Sequence, residues 1–243
     1  MGWPGPLPQS FNNLITVIGD SFIENLMNPE KCHQSVYLKK MLPEYNFLEA
    51  ARSGVSFVEA IEIFKQLDSL TPRLQLSHLH DSDFEESILQ ITKHSDITQF
   101  DIEKQKIVYG KMNSPGLKKV LYSWKFLYYL YQRFSLNLNK TINLENKKTS
   151  IKNNEDANYI QFYINLLEYT ASLYNTANKI LIFGLESSIK LVNLSKRYDF
   201  KTLHLKMDKN DKWSFDHDKH WTCHGHESVA EQVSQFIKNI NLN

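Results

Sequence analysis

Short apolar runs alternate with longer amphipathic segments along most of the chain. Each run is bounded by polar or turn-forming residues, which is the pattern of a buried strand in a parallel sheet. We predict five strands from these runs: LITVIG (14–19), NFLEAA (46–51), RLQLSHL (73–79), KILIFG (179–184) and FKTLHLK (200–206).

The segments between the runs carry apolar residues at helical spacing. They predict helices over residues 20 to about 42, 57–70, about 157–175, 187–198 and about 225–240. Strands that alternate with helices favour a parallel sheet covered on both faces, with right-handed crossovers. We therefore expect a three-layer α/β/α sandwich with a parallel, flavodoxin-like sheet.

One stretch interrupts this alternation. Residues from about 84 to 178 are mostly of helical character, and we predict a large helical insertion within a single domain spanning residues 1–243. The aromatic segment at 117–134 is a strong helix candidate that is more typical of core packing than of a sugar-stacking or acyl-binding surface. The Asn/Lys-rich segment at 137–156 predicts a surface loop.

Composition excludes several classes of partner. The chain has 243 residues, 42% of them hydrophobic and 23% charged, with a net charge of +1. This balance gives no electrostatic footprint for nucleic acid, and no apolar run approaches the roughly 20 residues of a membrane-spanning helix. We expect a soluble domain without a signal peptide, either cytoplasmic or part of a longer periplasmic protein; its oligomeric state stays open.

The two cysteines argue against a disulfide framework, although a single bond between Cys32 and Cys223 stays possible in an oxidising compartment. Cys32 is interpreted as a buried or surface thiol rather than a nucleophile.

Ligand sites in such sheets lie beyond the carboxyl ends of the strands. The sequence GDS (19–21) follows the first strand, so Ser21 would stand at a helix N-terminus, where unpaired N–H groups and the helix dipole favour negative charge. This position suits a nucleophile whose attack produces an oxyanion. The simpler interpretation is that Asp20 or Ser21 only caps the helix.

Three blocks in this region resemble the SGNH/GDSL hydrolase superfamily. ITVIGDSFIENL (15–26) is similar to the first block, which implies that Ser21 is the nucleophile. ARSGVS (51–56) is similar to the second, which implies that the Gly54 N–H donates to the oxyanion. HDSDF (80–84) stands in place of the third block, usually GxND.

The third block departs from the usual pattern. His80 stands where glycine is expected and Ser82 where asparagine is expected, while Asp83 matches. The resemblance makes Ser82 the candidate for the oxyanion donor that asparagine supplies in the family.

The last block lies in SFDHDKHWTCHGHE (214–227). The resemblance implies that His220 is the general base and that Asp218 orients it, with Asp216 as the alternative acid. The spacing Asp-x-His-Trp is similar to that of relatives that act in polysaccharide O-acetylation. The resemblance thus implies an esterase or O-acetyltransferase that acts on small-molecule or glycan esters through an acyl-enzyme on Ser21. It favours O-acetyl groups of carbohydrates as the substrate and implies no cofactor.

Two other interpretations stay open. Cys223 with His220, His224 and His226 would supply zinc ligand types, but a short loop does not easily wrap four ligands around one ion, and we expect no metal. A non-catalytic glycan-binding module that keeps the fold is favoured by the altered third block.

Overall fold

The computed structural model of the protein describes residues 3, 5–111, 124, 155–207 and 212–240. Its strands are β1 (Leu14–Gly19), β2 (Asn46–Ala51), β3 (Leu74–Leu79), β4 (Gln99–Asp101), β5 (Lys106–Val108), β6 (Lys179–Phe183), β7 (Lys201–His204), β8 (Ser214–Phe215) and β9 (Asp218–Trp221). Its α-helices are α1 (Ser21–Glu24), α2 (Gln34–Met41), α3 (Phe57–Leu67), α4 (Asp81–Glu86), α5 (Glu155–Leu173), α6 (Ile189–Arg197) and α7 (Cys223–Asn239). None of the helices in these ranges is long and apolar enough to cross a membrane.

The main sheet has five parallel strands in the order β2-β1-β3-β6-β7. This is the flavodoxin-like order, with the reversal of strand order between β1 and β3. The predicted three-layer α/β/α sandwich is confirmed, and all five predicted strands are present. Because β1 lies beside this reversal, the residues at its carboxyl end face the crevice where such folds bind ligands.

Alternate residues of β1 enter two separate cores. Leu14 and Ile18 pack with α3, α5 and α6 on one face, whereas Ile15 and Val17 pack with α2 and α7 on the other. A strand presents successive side chains to opposite faces, so a continuous apolar run is what a strand covered on both sides requires.

The helix expected over residues 20 to about 42 is divided into shorter pieces. Helix α1 ends after Glu24, where Asn25 adopts a left-handed conformation with φ 52°. A 3₁₀ turn at Glu30–Cys32 follows Pro29, and α2 begins only at Gln34. The left-handed residue and the proline each interrupt helical hydrogen bonding, which periodicity alone does not register.

The segment expected to be a helical insertion also contains extended structure. Strands β4 and β5 form an antiparallel hairpin, and Ile88 bridges to Phe100 of β4. Helix α5 agrees with the predicted helix at about 157–175 to within two residues at each end. The aromatic segment at 117–134 lies outside the described residues except for Trp124, and nearly all of the predicted loop at 137–156 does so too.

Cys32 and Cys223 form a disulfide across 191 residues of sequence. The interpretation of Cys32 as a buried or surface thiol is therefore wrong, and the single bond that the sequence left possible is present. The local sequence around either cysteine does not indicate the pairing. Cys32 lies in the 3₁₀ turn and Cys223 begins α7, and only the fold brings these two elements together.

Two histidines lie in the core beside the carboxyl end of β1. His78 is 4% exposed, and neither of its ring nitrogens has a hydrogen-bond partner among the described residues. Burial lowers the pKa of His78 to about 3, with further lowering by the neighbouring His226 and His80. Burial likewise lowers the pKa of His226 to about 3, with His33 and His220 adding to the effect.

These buried histidines predict that acid destabilises the fold. The unfolded chain binds a proton on each below an ordinary pKa of about 6.5, whereas the folded protein does not until about pH 3. The free energy of unfolding should therefore fall as pH drops from about 6.5 to 3, by a few kcal/mol for each histidine. Denaturant unfolding at several pH values should show a shallower decline for His78→Leu than for the wild type.

The exposed His217 provides the control, and His217→Asn should keep the wild-type slope. Equal slopes for His78→Leu and the wild type would contradict the assignment of His78 as a buried neutral imidazole.

Candidate active site

Ser21 is the first residue of α1, directly after the turn that ends β1. Gly19 makes this turn tight, because a Cβ there would lie 2.5 Å from Cγ1 of Ile23. The Asp20 carboxylate caps α1 by accepting a hydrogen bond from the Phe22 N–H at 2.9 Å. Capping by Asp20 leaves the Ser21 hydroxyl available for another partner.

That partner is His220, which lies on β9 of the C-terminal hairpin. His220 Nε2 is 2.8 Å from Ser21 Oγ, and His220 Nδ1 is 2.5 Å from Asp218 Oδ1. Asp218 also accepts a hydrogen bond from the backbone N–H of His220 at 2.9 Å. A hydroxyl, an imidazole and a carboxylate are thus joined in series, the arrangement in which an imidazole can remove a hydroxyl proton while a carboxylate fixes its tautomer.

The carboxylate of Asp218 is suited to remain ionised at neutral pH. Partial burial alone would raise its pKa, but hydrogen bonds from the backbone and ring of His220 outweigh burial and lower it below the ordinary value. Asp216, the alternative acid, is 87% exposed and pairs with Lys212 at 3.7 Å instead.

The remaining histidines of the C-terminal segment are separated. His217 and His224 are exposed, whereas His226 is buried and its ring nitrogen lies 3.3 Å from Gln34 Nε2. Cys223 is bonded to Cys32, so its sulfur is not available as a thiolate ligand. Within the described ranges, no three His, Cys, Asp or Glu side chains are grouped as a metal site.

Gly54 lies in an exposed turn after β2 with φ 73°, a conformation that favours glycine. The turn is tied to α1 by Glu24, whose carboxylate accepts hydrogen bonds from the N–H of Ser53 at 2.9 Å and from its hydroxyl. Burial raises the pKa of Glu24, although the bonds from Ser53 and the charge of Arg52 partly offset it. Glu24 therefore links the helix of Ser21 to the turn of Gly54.

Ser82 lies in the first turn of α4, is exposed and lines a cavity of about 680 Å³. His80, at the end of β3, lines the same cavity, and its backbone N–H donates to Asp83 Oδ2 at 2.7 Å. The third block thus faces the same cavity as Asp20 and Asp218.

Phe22 joins the two sides of this cavity through ring contacts. Its ring centroid is 4.8 Å from that of His220, 4.7 Å from that of His80 and 5.1 Å from that of Trp221. Trp221 is itself 4% exposed and packs in the core with α7. Phe22 therefore supports the His220 imidazole from the side of α1.

Sequence reasoning missed several supporting residues. Phe22 and Glu24 read only as parts of a helical pattern, since a phenylalanine or glutamate after GDS is unremarkable by itself. Trp221, next to the general-base candidate, contributes to the sequence pattern only as the last residue of Asp-x-His-Trp. Their proximity to the site arises from the fold and has no local signal.

Comparisons with known proteins give similarity at the level of solved structures. No family model and no curated protein matches the chain. Similar solved structures are TesA, at 11% identity and TM-score 0.44 over 93% of this chain and 98% of that one, and a member of the lipolytic protein G-D-S-L family from Veillonella parvula, at 11% and 0.45 over 93% and 99%. A third is a GDSL-like lipase from Bacteroides ovatus, at 12% and 0.43 over 94% and 99%.

The contact between Asp218 and His220 predicts a spectroscopic signature. A proton held between imidazole Nδ1 and a carboxylate should give a far-downfield ¹H NMR resonance. Asp218→Asn should remove this resonance, and Asp216→Asn should keep it, because Asp216 pairs with Lys212. Loss of the resonance in Asp216→Asn with retention in Asp218→Asn would contradict the geometry.

Proposed function

We propose that this protein is a serine esterase or acyltransferase of the SGNH/GDSL type, which acts through an acyl-enzyme on Ser21. The observation that supports this most strongly is the hydrogen-bonded series from Ser21 Oγ through His220 to Asp218, with links of 2.8 and 2.5 Å. The three residues come from opposite ends of the chain, and they are the three to which the resemblance assigns the nucleophile, the base and its orienting acid.

In the first half-reaction, Ser21 Oγ attacks the carbonyl carbon of an ester while its proton passes to His220 Nε2. Asp218 stabilises the imidazolium that forms, because its carboxylate accepts the Nδ1–H. The tetrahedral intermediate then collapses: the bond to the alcohol oxygen breaks, His220 returns the proton to that oxygen, and the acyl group stays on Ser21.

The second half-reaction releases the acyl group by the same steps. A water molecule, activated by His220, attacks the acyl-enzyme in hydrolysis, and a sugar hydroxyl takes its place in acyl transfer. The two outcomes share one site and differ only in which acceptor reaches the acyl-enzyme.

The oxyanion would be stabilised by the N–H groups of Ser21 and Gly54 and by the hydroxyl of Ser82. The first N–H groups of a helix have no partner within it, which supports a role for Ser21. The positive φ of Gly54 and the hydrogen bond that the Ser53 N–H donates to Glu24 support a role for the second donor. Loss of one such donor typically lowers kcat by about 100- to 1000-fold, so Ser82→Ala should have a lower kcat than the wild type.

We infer that the substrate is an ester of a carbohydrate, with O-acetyl groups as the favoured acyl group. The cavity of about 680 Å³ is larger than an acetyl group needs. Its walls combine hydroxyl and charged side chains, such as Ser187 and Lys219, with the rings of Phe22, Phe215 and Trp221. Such a lining suits a polyhydroxylated ring better than a long alkyl chain, which would leave the polar groups desolvated and unpaired.

Turnover of p-nitrophenyl acetate tests the nucleophile and the acid. Ser21→Ala should reduce kcat by at least about 1000-fold, and Asp218→Asn by about 100- to 10,000-fold, because the imidazole loses its orienting acceptor. Asp216→Asn, at the exposed acid that does not contact His220, is the matched control and should retain wild-type kcat.

Equal rates for wild type and Ser21→Ala would overturn the proposal and would favour a glycan-binding module that has kept the fold. A loss in Asp216→Asn equal to that in Asp218→Asn would exclude the assigned role of Asp218.

The polar lining of the cavity predicts selectivity for the acyl group. The kcat/KM for p-nitrophenyl acetate should exceed that for p-nitrophenyl palmitate by at least about tenfold, a difference of about 1.4 kcal/mol. Acetate should also be released from an O-acetylated glycan by wild type and not by Ser21→Ala. A preference for palmitate, with no acetate release from glycans, would contradict the inferred substrate class.

A further inference from the structure

The hairpin that carries His220 is not part of the main sheet. Strands β8 and β9 pair only with each other among the described strands, and β9 is four residues long. An isolated two-stranded hairpin is marginally stable in water. The position of His220 over Ser21 therefore depends on how the hairpin is attached to the rest of the molecule.

The segment 25–32, which follows α1, attaches to the hairpin through Asn28. The Asn28 side-chain amide donates to the backbone carbonyl of Trp221 at 2.8 Å and to Asn25 Oδ1 at 2.6 Å, so both of its N–H groups are used. Asn25 is buried and donates in turn to the carbonyl of Cys32 at 3.0 Å. Asn28 thus connects the segment after the nucleophile to the residue next to His220.

The disulfide makes a second attachment at the same place. Cys32 closes segment 25–32, and Cys223 is the third residue after His220 and the first of α7. The Asn28 contact and the disulfide therefore hold the chain on the C-terminal side of His220, at two points within three residues of it. The buried ring of Trp221 also packs in the core at this end, and the Asn28 contact and the disulfide add two directional links to that apolar contact.

We propose that Asn28 and the Cys32–Cys223 disulfide form a positioning pair that keeps His220 within hydrogen-bond distance of Ser21. The proposal rests on the proposed function of Ser21 and His220. Neither Asn28 nor the disulfide touches the reacting atoms; each acts by fixing the imidazole, and a displacement of about 1 Å in such a group can cost about 100-fold in rate.

One consequence is that activity depends on redox state. Dithiothreitol would reduce the disulfide to the two thiols of Cys32 and Cys223 and would itself be oxidised to its cyclic disulfide, with two electrons and two protons transferred. Because disulfides persist in oxidising compartments, the proposal assigns the active form to such a compartment.

The role of Asn28 is tested by steady-state kinetics with p-nitrophenyl acetate. Asn28→Asp replaces the donating amide with a carboxylate facing the Trp221 carbonyl and Asn25 Oδ1, and it should lower kcat about 10- to 100-fold with KM within about twofold. Asn28→Gln keeps both N–H donors and should recover part of this loss. The exposed Asn12 is the matched control, and Asn12→Asp should leave kcat unchanged.

The disulfide is tested on the wild-type protein by addition and removal of dithiothreitol. Reduction should lower kcat at least about tenfold and reoxidation should restore it, whereas the Cys32→Ser/Cys223→Ser double variant should have the lower kcat and no response. The circular dichroism spectrum should be retained at the assay temperature, since a fall in kcat that follows unfolding would count against a positioning role. If the two attachments act together, Asn28→Asp should cost less in the reduced protein than in the oxidised one.

The outcomes separate the two proposals. If oxidised wild type and Ser21→Ala hydrolyse the ester equally, the proposed function fails. If wild type exceeds Ser21→Ala, but Asn28→Asp and reduction both leave kcat unchanged, the function stands and the positioning pair is overturned.

Discussion

The hydrogen bond between Ser21 Oγ and His220 Nε2 joins residues 199 positions apart, and the proposed chemistry of the site depends on it. The first residue stands at the carboxyl end of a central strand, and the second on a small hairpin outside the main sheet. A parallel sheet supplies a rigid place for the first, but nothing in the sheet fixes the second. The surroundings of the hairpin therefore determine whether a hydroxyl and an imidazole become a functional pair.

Segment 25–32, together with Glu24 at the end of α1, connects Ser21 to parts of the site that the main sheet does not hold. At its start, Glu24 holds the turn of Gly54 through Ser53, and at its end Cys32 is bonded to the first residue of α7. The residues that follow Ser21 thus connect it both to the turn of Gly54 and to the chain beside His220. One short stretch of chain can in this way set the relative positions of groups that follow β1, follow β2 and lie on the C-terminal hairpin.

The sequence allowed prediction of the parallel sheet because its strands are continuous apolar runs, as at Leu14–Gly19, and burial on both faces demands that pattern. The blocks around Ser21 and His220 could also be recognised from the sequence, because each is a short run of consecutive residues with a characteristic spacing. The contacts of Glu24 and Asn28 could not be predicted, because they join positions that only the fold brings together. The disulfide could be named only as a possibility, because whether Cys32 and Cys223 meet depends on how the segment after α1 packs against α7. The hairpin at β4–β5 was missed because neighbouring helical spacing outweighed two three-residue strands.

The central claim is that Ser21 is a nucleophile activated by His220. It is tested most directly by intact-mass measurement after incubation with a fluorophosphonate, which labels only an activated serine. The account predicts one adduct per chain, mapped to Ser21 by peptide mass spectrometry and strongly slowed in His220→Ala. An unmodified wild-type protein, or an adduct at another serine that forms equally fast in His220→Ala, would contradict it.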